Sequence, residues 1–305
     1  MSVLVLGSYA KALVMTADRI PLAGETLLGR DFRQTFGGKG SDMAVQVARL
    51  GCPVEFAGVI GDDVFGHEFV ALMKEERIGI SGLRVTDEKP TGAGLIIKDN
   101  AARNVIVVDM GANELFSPAD VDHALEITQP ADIALAQLEI PLDTALYGLK
   151  KAAAGGARTI LNPAPAQNLV GKDLSMVDFL TPNETEARVV LGLAPDDPTP
   201  NEEIARRLMQ TGCRAVVMTL GEDGVFGATA AGTFTIPAFR VDHVDSNGAG
   251  DSFNAALAVG LSEGKPLQEA ARFAAAVAAL CCTRWETVPS YHRRDEVEAF
   301  MKRAA

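Results

Sequence analysis

The stretch VDSNGAGDSF at 244–253 combines an acidic side chain with a glycine-rich entry into an apolar helix. The N–H groups of Gly248, Ala249 and Gly250 are predicted to form a positive site for an anion, since they start a helix. Asp251 could take a proton from an attacking hydroxyl while these amides hold the charge that develops on a phosphoryl group. The alternative is an acidic residue that only stabilises the first helical turn.

A second glycine-rich loop, FGGKGSDMAVQVARLG at 36–51, also leads into an amphipathic helix. It is not a P-loop, because Gly40 follows Lys39 where Ser or Thr is needed and Arg33 replaces the opening glycine. Neither loop has the G-x-G-x-x-G spacing of a dinucleotide-binding turn, which argues against a nicotinamide-linked dehydrogenase. Taken alone, this loop is as well explained by a tight turn.

The segment TPNETEARVVLG at 181–192 places polar side chains at the start of a predicted helix. Asn183 and Glu186 are three residues apart, so both lie on one face, where they could orient hydrated Mg²⁺ and phosphate oxygens. The alternative is a capping box formed by Thr181 and Glu184.

Short apolar strands alternate with helical patterns along the chain. Strands are predicted at 3–7, 54–60, 133–138, 158–162, 179–183 and 215–221, and helices at 40–50, 64–76, 141–154, 184–192, 202–211 and 250–263. This alternation predicts an α/β fold with a doubly wound, mostly parallel sheet flanked by helices. Ligands of such sheets bind beyond the carboxyl ends of the strands.

Two segments, about 9–36 and 90–110, interrupt this alternation, and their pattern predicts antiparallel strands. They predict a small β-sheet that lies over the site as a lid. An apolar outer face on such a sheet would pair with a second copy of the chain, so we expect a homodimer through the lid.

The composition excludes several classes of partner. A net charge of −12 argues against nucleic acid, which needs clustered Lys and Arg. No apolar run reaches the roughly 18 residues that span a bilayer, so no membrane association is expected. The four cysteines form no C-x-x-C motif and the four histidines no zinc spacing, so a reducing cytoplasm is the expected location.

The motifs in their order along the chain resemble the ribokinase branch of the phosphofructokinase-B sugar kinases. They are GGKG, QLEIP, LNPAPA, TPNETEA, TLGEDGV, VDSNGAGDSF and a final TR followed by PS, and the likeness runs from Val3 to about Phe300. The resemblance implies a single kinase domain over 1–305 with a lid. It also implies transfer of the ATP γ-phosphate to a sugar hydroxyl, with ATP and Mg²⁺ as cofactors and K⁺ as a further candidate.

The resemblance also assigns roles to individual residues. Asp251 matches the catalytic base, which also contacts the substrate, and Gly248, Ala249 and Gly250 match the anion hole. The other matches are Gly38, Lys39, Gly40 and Glu139 for the sugar pocket; Asn183, Glu186, Thr219, Gly221, Gly224 and Gly250 for the nucleotide; Glu186, through water, for Mg²⁺; and Asp245 and Ser290 for a monovalent cation.

Four positions depart from the ribokinase pattern. Ala10 and Ala12 stand where ribokinases have an Asn and an Asp that hold sugar hydroxyls, and Asp42 stands in place of a sugar-binding Asn. We expect Asp42 to take over part of the hydroxyl binding; the alternative is a helix cap. Glu286 replaces a Gly near the cation loop, which weakens the expectation of cation activation.

The sequence therefore predicts an ATP-dependent kinase of a pentose or related sugar, with Asp251 as general base. A kinase for another hexose, a polyol or a nucleoside is a second possibility within the same class. A third is a non-catalytic sugar or nucleotide sensor on the same scaffold, which the two alanines suggest and the intact Asp251 opposes.

Overall fold

The computed structural model describes residues 1–100 and 103–304. Within them the strands are β1 (Val3–Leu6), β2 (Ala10–Thr16), β3 (Arg30–Gly37), β4 (Val54–Gly61), β5 (Leu83–Thr86), β6 (Gly92–Lys98), β7 (Asn104–Asp109), β8 (Ile133–Ala136), β9 (Arg158–Leu161), β10 (Phe179–Leu180), β11 (Ala215–Thr219), β12 (Val225–Thr229) and β13 (Gly232–Ile236). The α-helices of the same residues are α1 (Lys39–Arg49), α2 (Val64–Glu75), α3 (Pro118–Ile127), α4 (Leu142–Ala154), α5 (Glu184–Val190), α6 (Asn201–Met209), α7 (Ala249–Ser262), α8 (Leu267–Cys281) and α9 (Arg294–Arg303).

The larger sheet is mostly parallel, as the alternation of strands and helices predicts. Its order is β13-β12-β11-β10-β9-β8-β1-β4-β5. All neighbours from β11 to β5 in this order run parallel. The last two strands at the other edge, β12 and β13, run antiparallel. The predicted doubly wound α/β fold is confirmed.

Helices cover both faces of this sheet because alternate side chains of the central strands point to opposite sides. In β1, Val3 and Val5 join a core that includes residues of α1, α7 and α8. Leu4 and Leu6 join a second core with residues of α3, α4 and α6. Each fully buried Val or Leu side chain contributes about 1.5–3 kcal/mol to folding, so the two cores hold the sheet as a rigid platform.

A separate four-stranded sheet has the order β3-β2-β6-β7, and its strands come from the two segments predicted to form the lid. The predicted antiparallel pairing is right within each segment, between β2 and β3 and between β6 and β7. The junction between the segments differs, since β2 and β6 run parallel.

The carboxyl ends of the parallel strands meet at one edge of the larger sheet. Ser8 follows β1, Glu139 follows β8, Asn183 follows β10 and Thr219 ends β11. Backbone geometry alone therefore brings these residues together at the edge where α/β sheets bind ligands.

Within the described residues, no helix has the length and apolar character that a membrane span requires.

Candidate active site

A cavity of about 230 Å³ lies between this edge and the four-stranded sheet. Its lining includes the predicted site residues Gly38, Lys39, Asp42, Glu139, Gly248 and Asp251. A larger cleft of about 480 Å³ opens elsewhere, beside Cys52, Glu76 and Arg293, and none of the predicted site residues lines it. The predicted base and most of the predicted sugar-pocket residues therefore meet at the smaller cavity. The residues predicted for the nucleotide turn and the monovalent cation are not among those that line it.

Asp251 lies in the first turn of α7 and is 6% exposed. Its Oδ1 atom is 3.6 Å from Lys39 Nζ and makes no hydrogen bond with any described residue. Burial raises the pKa of Asp251, and the positive charge of Lys39 opposes that rise. In turn, the carboxylate raises the pKa of Lys39, which keeps the ammonium charged. A buried carboxylate without a hydrogen-bond donor can accept a proton from a group bound in the cavity.

Two of the three amides in the predicted anion hole make no hydrogen bond with the described residues. Gly248 caps α7 in the left-handed conformation, with a φ of 77°. Ala249 N–H donates to the Ser246 carbonyl at 3.2 Å, so this amide is already engaged in a turn. The Gly248 and Gly250 N–H groups have no protein acceptor within the part of the chain that the structure describes. Those two amides can therefore bind an anion. The Ala249 amide can do so only if its hydrogen bond to the Ser246 carbonyl breaks.

A pair of polar side chains holds the start of α7 against the larger sheet. Thr181 Oγ1 donates to Asn254 Oδ1 at 2.5 Å, and Asn254 Nδ2 donates to the Gly250 carbonyl at 2.9 Å. Thr181 follows β10 directly, so the helix start is fixed to the carboxyl edge of the sheet. Sequence reasoning did not select Asn254; its position one helical turn after Gly250 was the available clue.

The GGKG loop needs its glycines because it packs against the backbone of the β1–β2 connection and the first residue of β2. A Cβ at Gly38 would lie 2.7 Å from Ala10 N, and one at Gly40 would lie 2.4 Å from Ser8 N. The close approach lets Glu139 Oε2 accept hydrogen bonds from Lys39 N at 2.7 Å and from Ser8 Oγ at 2.6 Å. Ser8, which was not among the predicted residues, thus helps to place both Lys39 and Glu139.

Asp42 is buried in the wall of the cavity and does not cap a helix. The N-cap of α1 is Gly38, and no side chain caps it. Asp42 is 2% exposed, and its Oδ1 has no hydrogen-bond partner among the described residues. Burial and the nearby carboxylate of Asp251 raise the pKa of Asp42 well above its usual range. The capping alternative is therefore wrong, and an acceptor is left free for a donor that enters the cavity.

Asn183 and Glu186 form a capping box at the start of α5. Glu186 N–H donates to Asn183 Oδ1 and Asn183 N–H donates to Glu186 Oε2, each at 2.8 Å. The predicted alternative placed this box at Thr181 and Glu184, two residues too early. Burial raises the pKa of Glu186, and its charge interacts with those of Lys39 and Asp251. The second carboxylate oxygen of Glu186 makes no hydrogen bond with the described residues, so it can serve a ligand.

The predicted nucleotide turn lies beside this capping box. Thr219 N–H donates to the Pro182 carbonyl at 3.1 Å, and Thr219 forms a bridge with Asn183. The backbone then reverses through Gly221 and Gly224, whose φ values are 54° and 95°. A Cβ at Gly224 would lie 2.0 Å from the Ile236 carbonyl oxygen, which explains why glycine occurs there. The turn and the capping box are thus direct neighbours at this edge of the sheet.

The two residues predicted to bind a monovalent cation have protein partners. The Asp245 carboxylate lies 3.5 Å from Lys98 Nζ. Ser290 Oγ donates to the Thr287 carbonyl at 2.7 Å and lies 3.1 Å from Cys281 Sγ. Among the described residues, no three His, Cys, Asp or Glu side chains form a group that could hold a metal ion.

The face of the four-stranded sheet that borders the cavity is apolar at its centre. Strand pairing places Ala12, Gly94 and Val108 in one row and Val14, Ile96 and Ile106 in the next. All six residues line the cavity. On β3 the same rows continue with Thr35 beside Ala12 and Arg33 beside Val14, and Thr35 also lines the cavity. A ligand can therefore find a hydroxyl at this edge of the sheet, but no hydrogen bond from Ala12 itself.

The chain belongs to the pfkB family of carbohydrate kinases, which it matches over residues 1–293. It is thus a phosphotransferase with an alcohol group as acceptor. It is similar to ribokinase of Haemophilus influenzae, with 34% identity over 300 residues that cover 98% of each chain. Deoxyribokinase of Salmonella typhi is 30% identical over 304 residues, 99% of each chain. Arabidopsis thaliana ribokinase complexed with ribose and ATP has a TM-score of 0.88 at 28% identity, over 98% of each chain.

Proposed function

We propose that this protein is an ATP-dependent pentose kinase in which Asp251 is the general base. The observation that carries the proposal is a buried carboxylate without a hydrogen-bond partner, which lines the cavity beside Lys39 and open helix-start amides. Ribokinases at about a third identity over the full chain support the same substrate class. A sensor needs no free base, and the relatives do not favour a hexose or nucleoside kinase.

Phosphoryl transfer depends on positioning and charge stabilisation, and the chain supplies both. Asp251 takes the proton of the attacking sugar hydroxyl, and the ammonium of Lys39 lies close enough to stabilise negative charge in the same cavity. The N–H groups of Gly248 and Gly250 point their positive ends at the group in transfer. Asp42 and Glu139 hold sugar hydroxyls on the wall opposite the apolar sheet.

The nucleotide binds along the surface formed by Asn183, Thr219, Gly221 and Gly224. Glu186 fits hydrated Mg²⁺, because it presents a half-buried carboxylate oxygen without a protein donor. When bound with ATP, this ion neutralises charge on the phosphates.

The four cysteines are unpaired, which supports a cytoplasmic location.

A panel of substrates tests the proposed function. Release of ADP from ATP is measured with pentoses, deoxypentoses, hexoses, polyols and nucleosides, and we expect the highest kcat/KM with a pentose or deoxypentose. Absence of turnover with every compound, together with an increase in Tm on adding one of them, would instead identify a sensor. Higher kcat/KM with a hexose or nucleoside would refute the pentose assignment.

The alanine at position 12 predicts weak discrimination between ribose and 2-deoxyribose. A site that hydrogen-bonds a hydroxyl rejects the analogue without it by about 10⁴-fold, but Ala12 offers no such bond. We expect the two kcat/KM values to lie within about tenfold of each other, and Ala12→Asp to increase the ratio for the more hydroxylated sugar by about tenfold or more. Ala93→Asp is the matched control, since it places the same charge on the opposite face of this sheet. An unchanged ratio in Ala12→Asp would contradict the prediction.

We also propose that two copies pair through the outer face of the four-stranded sheet. Leu95 and Val107 are neighbours on that face and are 57% and 63% exposed, and Met15 and Val105 add to the same surface. Apolar residues grouped in this way favour a protein partner. Sedimentation velocity is expected to show a dimer that Val107→Lys converts to a monomer. A wild-type monomer at all accessible concentrations would refute the proposal.

A further inference from the structure

The cluster around Asp245 does not fit the monovalent cation that the family resemblance implies. Lys98 Nζ lies 3.5 Å from Asp245 Oδ2, and these side chains are only 13% and 10% exposed. The ammonium is also 5.3 Å from the centre of the Trp285 ring, where a cation is favoured. A positive charge from the chain itself therefore lies against the carboxylate that an ion would need.

The charges of this cluster balance without an ion. Its two carboxylates are Asp245 and Glu286, and its two cations are Lys98 and Arg33, whose Nη1 is 3.1 Å from Glu286 Oε1. Both cations come from the four-stranded sheet, at the end of β6 and within β3. An added K⁺ would repel both of them and would find no further carboxylate in the cluster to compensate it.

Asp245 connects this cluster to the anion hole. Its Oδ1 accepts a hydrogen bond from Asn247 N–H at 3.1 Å, and its Oδ2 accepts one from Glu286 N–H at 3.1 Å. Asn247 directly precedes Gly248, the N-cap of α7. A charge that holds Asp245 in place therefore also holds the turn that presents the Gly248 and Gly250 amides.

We propose that Lys98 is a positioning residue that takes the place of a monovalent cation, so that this kinase works without K⁺. This inference rests on the proposed kinase function. The lysine belongs to the predicted lid, so the anion hole is fully ordered only when that sheet covers the cavity. The family resemblance alone implies an ion at this position, whereas here a side chain 147 residues away in sequence supplies the charge.

The test compares activity with and without K⁺ at constant ionic strength, with tetramethylammonium chloride as the replacement salt. Wild-type kcat is expected to change by less than about twofold. An effector that is coupled to the site typically changes its properties by about fivefold or more. Lys98→Met is expected to lose about tenfold in kcat without K⁺ because the anion hole is less well held, and K⁺ is expected to restore part of the loss. Lys98→Arg keeps the charge and is expected to stay independent of K⁺.

Lys89→Met is the matched control, because Lys89 forms an ion pair with Glu114 on the surface, away from the cluster. A second readout is Tm without substrates, which K⁺ should raise in Lys98→Met and leave unchanged in the wild type. Activation of the wild type by K⁺, or a Lys98→Met variant as active without K⁺ as the wild type, would overturn the inference. The Tm comparison needs no turnover, so it can be read even if the proposed kinase function fails.

Discussion

Asp251→Asn is expected to lower kcat by a factor of about 10²–10⁴, because the amide has nearly the same volume but cannot accept a proton. The KM values for sugar and ATP should change little, since no hydrogen bond of the wild-type side chain is lost among the described residues. Steady-state kinetics with the best substrate of the panel measures the effect.

Asp42→Ala is the control for this prediction. It removes a second buried carboxylate from the same cavity, but one assigned to hydroxyl binding, so it should increase the sugar KM more than it lowers kcat. An Asp251→Asn enzyme with more than about a tenth of the wild-type kcat would show that another group takes the proton.

The raised pKa of Asp251 adds a dependence on pH to the same prediction. The base works only when ionised, so kcat should fall as the pH decreases through a pKa above the usual carboxyl range, and Asp251→Asn should lack this limb. The effect of this raised pKa on folding stability has the opposite pH dependence to its effect on kcat. A folded-state pKa above the unfolded value stabilises the protein below the unfolded pKa, and that contribution is lost as pH rises through the folded pKa. Asp251→Asn should therefore lack this pH-dependent contribution to Tm.

Gly248→Ala is expected to lower kcat by about 10²-fold, because the alanine must distort the turn that presents the amides. The residue has a φ of 77°, which costs a non-glycine residue about 1–3 kcal/mol. Its Cβ would also lie 2.6 Å from the hydroxyl oxygen of Tyr291, a side chain that is 2% exposed and cannot move aside. The predicted measurements are a lower Tm together with lower kcat.

Gly264→Ala separates backbone strain from the clash. Gly264 follows the opposite end of α7 with nearly the same φ, 79°, and a Cβ there would meet no atom within 4 Å. This variant should lose Tm but keep its kcat. Equal activity of the two alanine variants would show that the turn at Gly248 does not position the catalytic amides.

Local sequence was sufficient for most of the elements that carry the site. Parallel strands end at one edge, so motifs that follow strands, such as GGKG and TPNETEA, must meet there. The sequence also predicts the start of α7, because glycines followed by an Asp and an apolar helical pattern are typical of a helix start that binds an anion. The strands β5, β12 and β13 and the helices α3, α8 and α9 are not among the elements predicted from the sequence.

The amino-acid sequence by itself determined the α/β fold, the position of Asp251 and the glycines that let the backbone approach a ligand, because these depend on neighbours along the chain. The tertiary structure decided which groups remain free. It engaged the Ala249 amide in a turn and formed the capping box between Asn183 and Glu186. It also left Asp42 Oδ1 without a hydrogen-bond partner and brought Lys98 to Asp245. Such pairings depend on side chains from distant segments, and strand register and packing, which no local pattern encodes, bring them together.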